Sequence, residues 1–206
     1  MRLNSQVELD VTSLRVAKIS TANPNFAQEV EAWKSGHVGQ RVPKYFLLYI
    51  RIAGASQRGL SKLCIAKLPY VLVAPKAKPP VESKQDVQAS RLLARINAGT
   101  TCYTDGNRSW KAVAEDVKKQ ILVKSVSHRN AQFTNNLKGP KRKGASAIGG
   151  TQQLDRCWHH LKRFVACNLK TKVKSQINAA ILDKAFQFVW RYNASTQDAT
   201  ERLASL

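Results

Sequence analysis

The chain has 206 residues, 43% of them hydrophobic, and its 34 Lys and Arg outweigh 13 Asp and Glu to give a formal net charge of +21. That length argues one domain, residues 1–206, with a sizeable core. No window approaches the roughly 18 apolar residues of a membrane span and Met1–Asp10 lacks a signal-peptide pattern, so an intracellular protein that does not enter a membrane is expected.

Val7–Leu14 alternates and is rich in β-branched residues, which predicts a strand carrying Asp10. Pro24–Lys34 reads as a mixed, partly polar excursion and Gly36–Pro43 as turn-rich. Tyr45–Ile52 is almost continuously apolar and predicts a central strand. Gly54–Gly59 predicts a hairpin turn, and Leu60–Leu68 a third strand. Pro69–Val81 holds three prolines and reads as an irregular connection. Ser83–Asn97 predicts a helix with Ser83 as its cap, stopped at Asn97–Gly99. A short β-rich run, Thr100–Thr104, then ends in Asp105-Gly106.

Ser109–Gln120 predicts a second helix with Trp110 and Val113 inward, and Ile121–Val126 another strand ending at His128. Residues 130–150 are polar, Gly-rich and basic, and read as a flexible loop. In Thr151–Phe164, Leu154, Trp158 and Leu161, followed by Val165, fall on one helical stripe. Thr151 is placed as its N-cap, and Asp155 and Lys162, about two turns apart, project from one flank. A last helix spans roughly Lys174–Tyr192, and 195–206 is a polar tail.

The charge exceeds what solubility needs and points to a polyanion. Nucleic acid leads; no basic amphipathic helix with a wide lipid face stands out. Cys64, Cys102, Cys157 and Cys167 show no metal-ligand spacing and read as free thiols of a reducing compartment. The element order β-β-β-α-β-α-β-α-α predicts an α/β fold: a mixed sheet with helices on its faces. That is the order of a ribonuclease-H-like fold, in which acids of the first and fourth strands meet one from a late helix. The three acids are Asp10, Asp105 and Asp155.

Each acid alone has a plain structural reading: a solvent-facing strand residue, an Asp-Gly turn, and the polar side of an amphipathic helix. Together they suggest a site. Clustered carboxylates repel and call for a cation. Mg²⁺ takes hard oxygen ligands and needs only one or two carboxylates. Two such ions about 3.5–4 Å apart can drive an in-line phosphoryl transfer. Asp10 would bridge them, Asp105 and Asp155 would each hold one, and Lys162 would meet a backbone phosphate.

Several segments then resemble one family. Thr104-Asp105-Gly106, Val126-Ser127-His128, Asp155 followed by Trp158, Leu161 and Lys162, and Phe188 followed by Arg191-Tyr192-Asn193 resemble the DDE transposase domain of the ISXO-type insertion-sequence group. Val7–Thr12 is similar to its first acidic strand. The resemblance spans nearly the whole chain, although Asn23–Leu68 matches only in pattern. It implies a nuclease and strand transferase acting on DNA through Asp10, Asp105, Asp155 and Mg²⁺ or Mn²⁺, assembled as a homo-oligomer on DNA ends.

Three positions depart from the family pattern. Val11 stands where a second acid is usual, Asp155 where Glu is usual, and Gly150-Thr151-Gln152 where His-Thr-Asn is usual. The zinc ribbon and helix-turn-helix that precede the catalytic domain in many relatives have no counterpart before Asp10, so a truncated or catalytic-domain-only derivative that recognises DNA ends poorly by itself is expected. Lys138, Lys141, Arg142 and Lys143 read either as a solvated loop or as a phosphate clamp, and as a nuclear import signal in a nucleated cell. His128 reads as an auxiliary site residue or a structural strand-end His. Two other functions stay open: a transposase-derived protein that binds DNA without catalysis, and an unrelated basic RNA-binding protein.

Overall fold

The computed structural model describes residues 2–59, 62–117, 120–125, 135–136, 148–149, 151–169 and 177–194. It is an α/β structure built on a mixed, open six-stranded sheet. Strand β1, Gln6–Ser20, runs well past the predicted Leu14. A register shift between Ser13 and Arg15 makes this possible. The extra residue re-phases the alternation, so Ala17 and Ile19, not Val16 and Lys18, continue the face of Leu14.

Strand β2, Tyr45–Gln57, pairs antiparallel with all of β1, from Val7↔Gln57 to Ser20↔Tyr45. It therefore absorbs Gly54, which the sequence placed in the hairpin turn; the turn falls at Arg58-Gly59 instead, with Gly59 at φ +73°. Strand β3, Lys62–Lys67, pairs antiparallel with one half of β2. Strand β4, Val71–Val73, pairs with the other half inside what was expected to be an irregular connection. Strands β5, Thr101–Thr104, and β6, Leu122–Ser125, add in parallel on the far side of β1. The resulting order is β3-β2-β1-β5-β6, with β1 central. The two-residue strands β7, Asn135–Asn136, and β8, Ile148–Gly149, pair antiparallel with each other.

Helix α1, Ala27–Gly36, occupies the expected excursion and follows a 3₁₀ turn at Pro24–Phe26. Its Trp33 packs edge-on against Phe46 of β2. The helix predicted over Ser83–Asn97 is shorter: α2 is Lys84–Ser90. Ser83 caps it in a reciprocal box with Asp86. The Ser90 hydroxyl turns back to the Val87 carbonyl and accepts from the Leu92 N–H, which competes with the helical ladder. Arg91 then adopts a left-handed conformation and Leu92–Arg95 form a 3₁₀ turn that buries Leu92 and Leu93. Helix α3 is Arg108–Asp116, capped by Asn107, with Trp110 and Val113 buried as predicted.

Helices α4, Gln152–Asn168, and α5, Ile177–Ala194, complete the described chain. Strand periodicity assigns the two faces. Val7, Leu9, Ala53 and Ala55 pack with Val87 of α2 and with Trp110 and Val113 of α3. Ile50 and Ile52 pack with Leu154, Trp158 and Leu161 of α4 and with Ile181 and Ala185 of α5. Two side chains fasten these layers. Buried Arg51 donates to Asp86 at 3.0 Å, and Asn193 of α5 both accepts from and donates to the Leu63 backbone at 2.8 and 2.9 Å. No described helix is long and apolar enough to cross a membrane.

The seat of α4 is set by a carboxylate. Glu8, 1% exposed on the face of β1 toward α4, accepts the Leu154 N–H at 2.7 Å through one oxygen. Its other oxygen pairs with Arg58 at 2.8 Å. Glu8 thus does the capping that the sequence assigned to Thr151, whose side chain makes no cap bond. A negative charge at a helix N-terminus is also favoured by the helix dipole. Removing it exposes an unpaired helix end and a half-buried guanidinium, so Glu8→Ala should cost about 3 kcal/mol. Urea denaturation checks this: a change within 0.5 kcal/mol, the scatter of ordinary surface substitutions, would contradict the capping role.

Candidate functional site

Asp10 lies two residues beyond Glu8 and therefore on the same face of β1. Its Oδ2 accepts the indole N–H of Trp158 at 2.7 Å. Trp158 is 4% exposed, and its ring packs against Gly54, the residue paired with Asp10 across β1 and β2. A Cβ at position 54 would stand 2.1 Å from Cη2 and 2.5 Å from Cζ2 of that ring, closer than the atoms can approach. The glycine is thus what lets the indole reach the sheet and aim its N–H at the carboxylate.

Asp105 follows the C-terminal end of β5, beside β1 in a parallel pairing that aligns Glu8 with Tyr103. Asp155 projects from the first turn of α4. Both are exposed, and both act on Asp10. Burial pushes the Asp10 carboxyl up to about 7, the charge of Asp105 pushes the same way, and Asp155 adds to it; the Trp158 N–H only partly offsets the rise. The three acids that the sequence singled out therefore share one electrostatic neighbourhood. Among the described residues, however, no group of three or more His, Cys, Asp or Glu stands close enough together to hold a metal ion.

The Thr151 hydroxyl, freed from capping, donates to Asp155 Oδ2 at 3.2 Å. Thr151 is itself 2% exposed, so a buried donor holds the exposed carboxylate. Lys162 is exposed on α4. His128, Lys138, Lys141, Arg142 and Lys143 lie outside the described residues. The four cysteines are free, with Cys64, Cys102 and Cys157 buried and Cys167 exposed.

Three contributors escaped the sequence reading. Glu8 shares the period-2 alternation with Asp10, a signal that was present in Val7–Thr12. Gly54 looked like a turn residue because nothing local shows that β2 continues past it. Glu82 joins Asp105 in lining a cavity of ≈ 570 Å³. Burial raises the Glu82 carboxyl and Asp105 raises it further, so Asp105 faces acids on two sides.

A folded-state value above the ordinary one means that the folded chain keeps the Asp10 proton longer than the unfolded chain. Stability is lost as pH rises from 3.8 toward 7. Without divalent cations, Asp10→Asn should raise stability by an amount that grows across that window and levels off above it at no more than about 4 kcal/mol. Melting curves of both proteins from pH 4 to pH 8 test the sign: a gain that shrinks with pH would refute it. Gly54→Ala should force Trp158 off Asp10 and cost about 1–3 kcal/mol, read in urea melts. A melt that matches the wild type would remove the role given to the glycine.

Comparison of the chain with protein-family models, with curated proteins and with solved structures gave no match.

Proposed function

We propose that the protein is a transposase-type nuclease and strand transferase with a ribonuclease-H-like fold, acting on DNA through Asp10, Asp105 and Asp155. The observation that carries the reading is the placement of three acids about the central strand, on β1, after β5 and in the first turn of α4. A half-buried acid on the central strand is repelled by two further acids, one after a neighbouring parallel strand and one in the first turn of the helix packed over it. Perturbed groups of this kind mark functional sites more often than structural ones. The strand order β3-β2-β1-β5-β6, with β1 antiparallel to β2 and parallel to β5, supports the fold assignment. The charge of +21 supports a nucleic-acid substrate.

The donor set suits a hard divalent cation in kind: oxygen ligands only, with a half-buried carboxylate whose ionised form lacks a compensating positive charge. Asp10 and Asp105 would hold it with Asp155, and Mg²⁺ or Mn²⁺ would supply Lewis acidity to a phosphodiester. The remaining work belongs to the chain. Trp158 fixes the Asp10 carboxylate in place, the Thr151 hydroxyl steadies Asp155, and Lys162 offers a cation to the DNA backbone. With Asp155 in place of the family's usual Glu, the third carboxylate reaches one methylene less far.

A second reading, DNA binding without catalysis, draws on that shorter acid and on the lack of a tight three-carboxylate group among the described residues. Strand-cleavage and strand-transfer assays on transposon-end DNA with Mg²⁺ or Mn²⁺ separate the two. Asp10→Asn and Asp105→Ala should each lower the metal-dependent rate by at least about 100-fold, the scale at which a misplaced catalytic group is felt. Equal rates in the wild type and Asp105→Ala would overturn the proposal. Salt-sensitive DNA binding with no cleavage at all would select the second reading.

A further inference from the structure

A cavity of ≈ 730 Å³ opens on the opposite flank of α4 from Asp155, against the β2–β3 turn and α5. Arg58, Gln152, Arg156, His160 and Tyr192 line it, together with Glu8. Gln152, Arg156 and His160 recur every four residues, so they form one stripe along the helix. Glu8 is the one acid in the lining, and both its oxygens are engaged, by Arg58 and by the Leu154 N–H. Among the described residues, Arg156 and His160 make no ion pair, and both are exposed. The cavity therefore presents an arginine and a histidine over a neutralised acid. On its α5 side stands a phenol ring that stacks on Phe188.

An Arg fork beside an imidazole matches a phosphate. The space far exceeds a phosphate ion and falls in the range of small-molecule sites. An aromatic wall adds a stacking face for a base. We propose that this cavity binds a phosphorylated nucleotide, with its phosphate on Arg156 and His160 and its base toward Tyr192. The nucleotide is either free or an unpaired residue of a DNA strand. The inference rests on the cavity and its charges and is independent of strand cleavage.

Titration of the full chain, without divalent cations, separates the sources. One probe is dAMP. The other is a fluorescent duplex with a single unpaired 3′ nucleotide, compared with its blunt form. The double variant Arg156→Ala/His160→Ala should bind at least one probe about tenfold more weakly than wild type, the loss expected for one charge-assisted phosphate bond. Lys111→Ala, which removes one cation from α3 across the sheet, should not. A loss for dAMP identifies a free nucleotide; a loss confined to the overhang duplex identifies a strand. Should the double variant fail to fold, Arg156→Lys keeps the charge and removes the fork, and the same weakening is expected. Affinities for both probes that stay within twofold of wild type in the folded variants overturn the inference.

Discussion

One face of β1 carries carboxylates where a sheet normally carries apolar side chains, and α4 exists where it does because it answers them. Glu8 and Asp10 project side by side under the helix. The helix meets the first with a backbone N–H and the second with an indole N–H, both at 2.7 Å. A buried carboxylate without donors would be costly, so these bonds fix the axial position of α4. The apolar stripe of Leu154, Trp158, Leu161 and Val165 supplies most of the attachment, but such a stripe tolerates sliding. The two polar bonds select one position.

The two acids divide structural and chemical roles by how completely they are satisfied. Glu8 has a guanidinium on one oxygen and a helix terminus on the other. Asp10 has only neutral N–H donors, the Trp158 indole and the Val11 backbone, and two like charges nearby. Burial raises the carboxyl in both cases, yet only Glu8 meets a full positive charge. Asp10 is left as the under-compensated group, and a group in that state can take a proton or a cation. Gly54 belongs to the same arrangement: by giving up a side chain it lets the Trp158 ring close over the acid and hold it still.

The arrangement also gives α4 two unlike flanks. Asp155 leaves one, toward Asp10 and Asp105; Arg156 and His160 leave the other and line a cationic cavity. A hundred degrees per residue suffices to separate them. In a chain of net charge +21 the acidic flank is the exception: Asp155 and Asp105 reach solvent, and Asp10 between them is half-buried.

Much of this was legible in the amino-acid sequence. Period-2 and period-3.6 patterns marked β1, β2, the third strand and α4, because those patterns report burial on one side or both. Asp10, Asp105 and Asp155 were legible as acids at strand centre, strand end and helix start. What the sequence could not determine follows from its reporting only neighbours along the chain. The continuation of β2 through Gly54 and the passage of the α4 cap from Thr151 to Glu8 each depend on a partner far away in sequence. Trp158 read as core and is core, but its bond to Asp10 joins positions 148 residues apart. The sequence by itself determined which residues could carry charge into the fold. Only the tertiary structure decided which of those charges met a partner and which did not, because burial and Coulomb repulsion act through space.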